Sequence, residues 1–174
     1  MTDSVLWVLT PSIIWGGVLS WVDCRERRLP NWLTLGGAAV ALTGRIGYGG
    51  LPLFLDGFAA AAAAGLFLLI PFLLRGAGGG DVKMLFAAGA IAGWSRLLMM
   101  LWFTSLAGIV LGVVMILARR LDTRRLKHYA RCLFDWRYDR KAGAESLPPR
   151  ESEKARIPFS IPIVAGLVIA MLFY

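Results

Sequence analysis

Six apolar runs divide the chain: Val5 to Val22, Trp32 to about Tyr48, Leu53 to Leu74, Val82 to about Gly93, Leu97 to Ala118, and Ile157 to Tyr174. A straight transmembrane helix needs roughly 20 apolar residues, so the pattern predicts an all-α, polytopic membrane bundle of about six transmembrane helices. The first run resembles a signal peptide, but Asp3 precedes it without any Lys or Arg, and no small-residue cleavage site follows; it reads as a retained span. A turn-rich Gly49-Gly50-Leu51-Pro52 separates the second and third runs. The third carries a small-residue tract, Ala59 to Gly65, of the kind that lets membrane helices approach closely. After the Gly-rich break Arg75 to Asp81, the fourth run is short and interrupted by Lys83. It is too short to cross ~30 Å of hydrocarbon as a straight helix, and is expected to borrow residues from Trp94-Ser95 or to sit tilted.

Charge sets the orientation. If the first helix exits to the cytoplasm, 17 of the 19 Lys and Arg residues fall on the cytoplasmic side, leaving only Arg45 and Arg96 outside. The positive-inside rule then puts both termini outside. Residues 119–156 form a basic cytoplasmic loop within a single membrane-embedded domain, 1–174. Its first half spaces Leu126, Tyr129, Leu133 and Trp136 helically among basic residues. That pattern reads either as an amphipathic helix on the anionic inner leaflet or as a solvated loop; the second half, with Pro148-Pro149, reads as a linker.

Composition agrees. Hydrophobic residues make up 57% and charged residues 17%, against about 45–50% and 25% in soluble domains. A soluble globular domain, a disordered chain and a disulfide framework on two Cys are all disfavoured. The net charge of +8 would suggest nucleic acid in a soluble protein; here it belongs to membrane orientation, and no nucleic-acid partner is expected.

Among the acidic residues, Asp3 and Asp56 are expected in outer loops, whereas Asp23 and Asp81 lie at cytoplasmic helix ends. Acids at membrane depth are costly and usually functional. Two carboxylates brought together share a proton; one then activates water while the other protonates a carbonyl oxygen. The plainer readings are that Asp81 is a helix N-cap and that Asp23 pairs with Arg27. Against them stand the Gly78-Gly79-Gly80 tract, which permits close approach and unusual φ, and the lack of rival chemistry. There is no zinc-type His or Cys cluster, and His128, the single histidine, lies in the polar loop. No metal and no cofactor are expected. Pro30 stops the preceding helix, and Asn31 is the expected N-cap of the next. Lys83 falls on the face opposite Asp81 and is expected to snorkel. Pro158 and Pro162 sit at the start of the last helix, where the second would free a carbonyl able to pair with an extended substrate. Cys24 and Cys132 are expected reduced.

Asp23, the Arg-rich stretch after it and Leu29-Pro30-Asn31-x-Leu33-Thr34 resemble the first aspartate region of the type IV prepilin peptidases. Gly78-Gly79-Gly80-Asp81-Val82-Lys83 matches their Gly-x-Gly-Asp motif, and Ile157-Pro158-Phe159 is similar to the start of their last helix. Phe159-Ser160 departs from the Phe-Gly-Pro that the long form often carries. The resemblance implies an intramembrane aspartyl endopeptidase of the inner membrane. It would cut the leader of prepilins or pseudopilins after Gly on the cytoplasmic side, with Asp23 and Asp81 catalytic. Gly78, Gly80, Pro30, Asn31, Lys83 and Pro158 would shape the site or bind substrate. The cysteine-bearing insertion of the bifunctional members is absent, which implies the short form found with Flp-type pili, lacking N-methyltransferase activity. The alternatives are an archaeal-type preflagellin peptidase using the same dyad, a transporter with cation-binding acids, or a non-catalytic assembly subunit.

Overall fold

The computed structural model describes residues 3–26, 29–73, 77–117 and 159–173. All elements among them are helical: α1 (Asp3–Glu26), α2 (Asn31–Leu73), α3 (Gly79–Ala92), α4 (Trp94–Leu117) and α5 (Ser160–Phe173). Two helices, α2 and Trp94–Met115 within α4, are long and apolar enough to cross a membrane. The loop 119–156, His128, Cys132, Arg27 and Pro158 lie outside the described residues.

The Gly-Gly turn expected between the second and third runs is a kink inside α2. Gly49 has φ −142°, ψ 17°, and Gly50 has φ 66°, ψ −159°, a region open almost only to glycine. The kink folds residues 31–48 and 51–73 into two antiparallel segments. At that end of the bundle Arg45 and Asp56 face each other across the bend, with Arg45 Nη1 3.0 Å from Asp56 Oδ2. Arg45 also donates from Nε to Ala90 O (2.8 Å) and from Nη2 to Ile91 O (3.1 Å). These are C-terminal carbonyls of α3, left without partners inside their own helix. Asp56 Oδ2 in turn accepts the Trp94 amide at 3.2 Å, at the start of α4. The expectation that Asp56 is a free outer-loop carboxylate is thus corrected: it is held in a helix-capping ion pair. Only Gly93, at φ 77° and ψ 174°, separates α3 from α4. A Cβ there would meet Arg45 Nη2 and stand 2.7 Å from Asp56 Oδ2.

The short fourth run forms the centre of the molecule. α3 has 14 residues, beginning three residues earlier than the apolar run, at Gly79. Trp94 and Ser95, expected to lengthen it, instead open α4. Met84, Leu85, Ala87, Ala88, Gly89, Ala90 and Ala92 are all buried. The predicted small-residue tract explains how: a Cβ at Gly89 would stand 2.7 Å from Ala60 O and 2.8 Å from Ala64 Cβ. α5 packs antiparallel on α4 in the same way, with Gly166 against Met100 O and Thr104 N. α1 rests on α5 through Gly16 and Val164. It reaches α2 through Trp15, whose Nε1 donates to Leu33 O at 2.9 Å over Gly37. Pro162, expected to free a carbonyl, lies fully buried in the first turn of α5, where Ile163 N already donates to Phe159 O. A missing amide costs nothing there. Large apolar side chains remain exposed along α4, among them Leu98 (81%), Trp102 (70%) and Leu117 (77%). A surface of this kind calls for lipid rather than water.

Gly89→Ala should lower the thermal unfolding midpoint of the detergent-purified protein, since overpacking costs about 1–3 kcal/mol. Gly17→Ala, with nothing within 4 Å of its added methyl, should not. Equal midpoints would show that α2 and α3 are packed more loosely than this geometry requires.

Candidate active site

Asp23 lies in the last turn of α1 and Asp81 in the first turn of α3. The local sequence places each. α1 ends at Glu26, and the chain turns at Leu29-Pro30, the two residues described between α1 and α2. Pro30 O accepts the amides of Leu33 (3.1 Å) and Thr34 (3.2 Å), so Pro30 occupies the N-cap position. Asn31, expected there, is the first residue of the helix. Its side chain is therefore released from capping, and Asn31 Oδ1 accepts from Lys83 Nζ at 2.7 Å. Lys83, expected to snorkel to the cytoplasmic interface, makes this bond at an exposed position and so ties the start of α3 to the start of α2.

On α3 the N-cap is Gly78, extended at φ −84° and ψ 151°. Asp81 is the third helical residue rather than the cap, and its Oδ2 accepts the Gly78 amide at 2.9 Å. The side chain thus reaches back to an amide the helix cannot itself satisfy, as the acidic member of a capping box does. The unusual φ expected of the glycine tract is absent at Gly78, and positive φ among the described glycines occurs only at Gly50 and Gly93. What the tract provides is close approach. A Cβ on Gly80 would stand 3.1 Å from Leu29 Cβ, and one on Gly78 would stand 3.0 Å from Asp81 Oδ2.

These contacts bring the α1–α2 turn onto the start of α3. Asp23 precedes Leu29 by six residues, the first three steps within α1; even a fully extended chain over the rest leaves its Cα no more than about 15 Å from that of Leu29. Leu29 touches the residue adjoining Asp81. Both carboxylates therefore belong to one end of the bundle, opposite the Arg45–Asp56 pair. Asp23 Oδ2 is buried and has no hydrogen-bond partner. An unpaired buried carboxylate oxygen is costly in a stable fold, and such groups in native structures gather where chemistry is done. Cys24, beside it, is exposed and unpaired. Among the described residues no three His, Cys, Asp or Glu side chains gather as a metal ion would require.

The Arg45–Asp56 pair is the polar feature that sequence reasoning missed. Its signal was available: one basic and one acidic residue flank the Gly-Gly bend, each within an otherwise apolar run.

Residues 12–113 match the type IV leader peptidase family. The matched span contains Asp23, Pro30, Asn31 and the whole of 78–83. No curated protein and no solved structure matches the chain.

The capping role of Asp81 can be separated from any chemistry it performs. Asp81→Ala should destabilise the purified protein by about 1 kcal/mol, the usual effect of losing a capping side chain. Asp81→Asn keeps an acceptor oxygen and should leave the unfolding midpoint near that of wild type. Equal losses in both would show that the bond to Gly78 is not what Asp81 contributes to stability.

Proposed function

The chain belongs to the type IV leader peptidase family, and on that premise we propose that it is an intramembrane aspartyl endopeptidase with Asp23 and Asp81 as its catalytic pair. The family makes it a membrane peptidase whose partner is a prepilin type of substrate. The observation that carries the aspartyl reading is the buried, unpartnered Asp23 Oδ2 at the end of the bundle where Leu29 packs on Gly80 beside Asp81.

Two nearby carboxylates hold one proton between them. The ionised member takes a proton from water as the water oxygen attacks the scissile carbonyl carbon. The protonated member donates its proton to the carbonyl oxygen. Collapse of the resulting gem-diol breaks the C–N bond and sends a proton to the leaving amine. The acids sit at helix ends; in the transporter alternative such acids would line a site near the bilayer midplane.

In this reading the six helical segments, counting the two halves of α2, each cross the inner membrane. The Asp23–Asp81 end faces the cytoplasm, since Arg25 and Lys83 lie at that end and Arg45 at the other. The leader of a Flp-type prepilin would be cut there after Gly. The same reading, carried by the resemblance, makes it a peptidase without N-methyltransferase activity.

Co-expression with candidate prepilins should yield a mass loss equal to the leader. Asp23→Asn and Asp81→Asn should each abolish that loss while the protein remains in the membrane at wild-type abundance. Continued processing by both variants would rule the dyad out.

A further inference from the structure

We propose that Lys83 and Asn31 form the fastening that sets how closely the segment carrying Asp23 approaches Asp81, which makes both of them positioning residues for leader cleavage. The inference rests on the aspartyl reading above and adds what holds the pair in register.

Asp23 and Asp81 are carried by helices with different main neighbours inside one common core. α3 lies along the second half of α2 through Gly89, Ala60 and Ala64, whereas α5 lies on α4 through Gly166 and carries α1 through Gly16 and Val164. α1 meets α2 lightly, by way of Trp15 on Leu33 O and Gly37. At the acidic end the chain leads from Glu26 to Asn31, and it is fixed to α3 at two nearby points. Leu29 is seated on Gly80, where a methyl group would already be 3.1–3.2 Å from its side chain. Two residues on, Asn31 Oδ1 takes the ammonium of Lys83 at 2.7 Å.

The residue types suit this task. Lys83 is two positions beyond Asp81, so its ammonium can be spent on the neighbouring helix while the Asp81 side chain turns back to Gly78. An ionised donor makes a hydrogen bond shorter and stronger than a neutral one. An amide acceptor holds the ammonium without adding a third negative charge beside the two carboxylates. With Pro30 at the cap, the Asn31 side chain is free to reach Lys83, and its position follows directly from where Pro30 starts α2.

A double-mutant cycle on prepilin cleavage by the full-length purified protein tests the assignment, using Lys83→Met, Asn31→Leu and both together. Misplacing reacting groups by about 1 Å can cost a hundredfold, so each single variant should lose roughly ten- to a hundredfold in kcat with KM unchanged. The double variant should be no slower than the worse single one, because the second change removes a bond already broken. Lys83→Arg, which keeps a cationic donor, should stay within a few-fold of wild type. Losses that multiply in the double variant, or a rise in KM at unchanged kcat, would overturn the fastening and assign these side chains to substrate contact. A loss of kcat matched by an equal loss of folded protein would overturn it too. Failure of the underlying reading looks different: Asp23→Asn would still cleave.

Discussion

A helix surrounded by apolar partners cannot leave its terminal amides and carbonyls to water, and α3 meets that constraint at both ends with charged side chains, one from α2 and one its own. Its C-terminal carbonyls are taken by Arg45, which Asp56 holds in place while capping the start of α4. Its N-terminal end is closed by Asp81 on the Gly78 amide. The Arg45–Asp56 pair thus fastens four helix ends around one bend. Such partly exposed pairs add little net stability by themselves; this one matters because its remaining donors and acceptors satisfy backbone groups that have no alternative. With that end fixed, the position of Asp81 depends on the length of α3 and on how deeply its alanine and glycine face sinks into α2.

The acidic end is organised on a different basis. Asp81 Oδ2 takes the Gly78 amide and so carries a stabilising role, whereas Asp23 keeps one buried oxygen without a partner. The two acids therefore reach this end by different means: Asp81 by the local geometry of its own helix start, Asp23 by the packing of α1 on α5 and the seat of Leu29 on Gly80.

Much of this was legible in the chain. Each apolar run corresponds to a helix or half-helix, because long apolar stretches interrupted by Gly, Pro and Arg leave the backbone few alternatives. The bend at Gly49-Gly50 and the close approach permitted by Ala59 to Gly65 follow from residue size alone. Some of what was missed concerns side chains whose partners are distant in sequence. The acceptor of Lys83 is 52 residues away; Asp56 was assigned to an outer loop, yet it and Arg45 bond to an amide and carbonyls some 40 residues on. Asn31 was read as a cap because Asn prefers that position, but the rigid Pro30 before it offers its carbonyl first. Pro162 was read as a helix breaker because its distance from the true helix start could not be counted.

Helix lengths also set the depth at which the two half-buried aspartates lie. α3 and α4 are joined by one residue, so their ends coincide there, but α4 has 24 residues and α3 only 14. At 1.5 Å per residue the far end of α4 overshoots Asp81's end of α3 by about 15 Å. α5 begins comparably low, since Phe159 lies beside Gly108 rather than beside Leu117. Counting from the Gly16–Val164 contact, Asp23 lies about one turn above the first residue of α5. Among the described residues the starts of α3 and α5 thus lie at similar depth, well short of the far end of α4, and Asp23 lies near that level. The short helices that looked at first like a defect in spanning length follow from how α3 is fixed: its far end is held at Gly93 by the Arg45–Asp56 pair, so its 14 residues set how deep Asp81 sits.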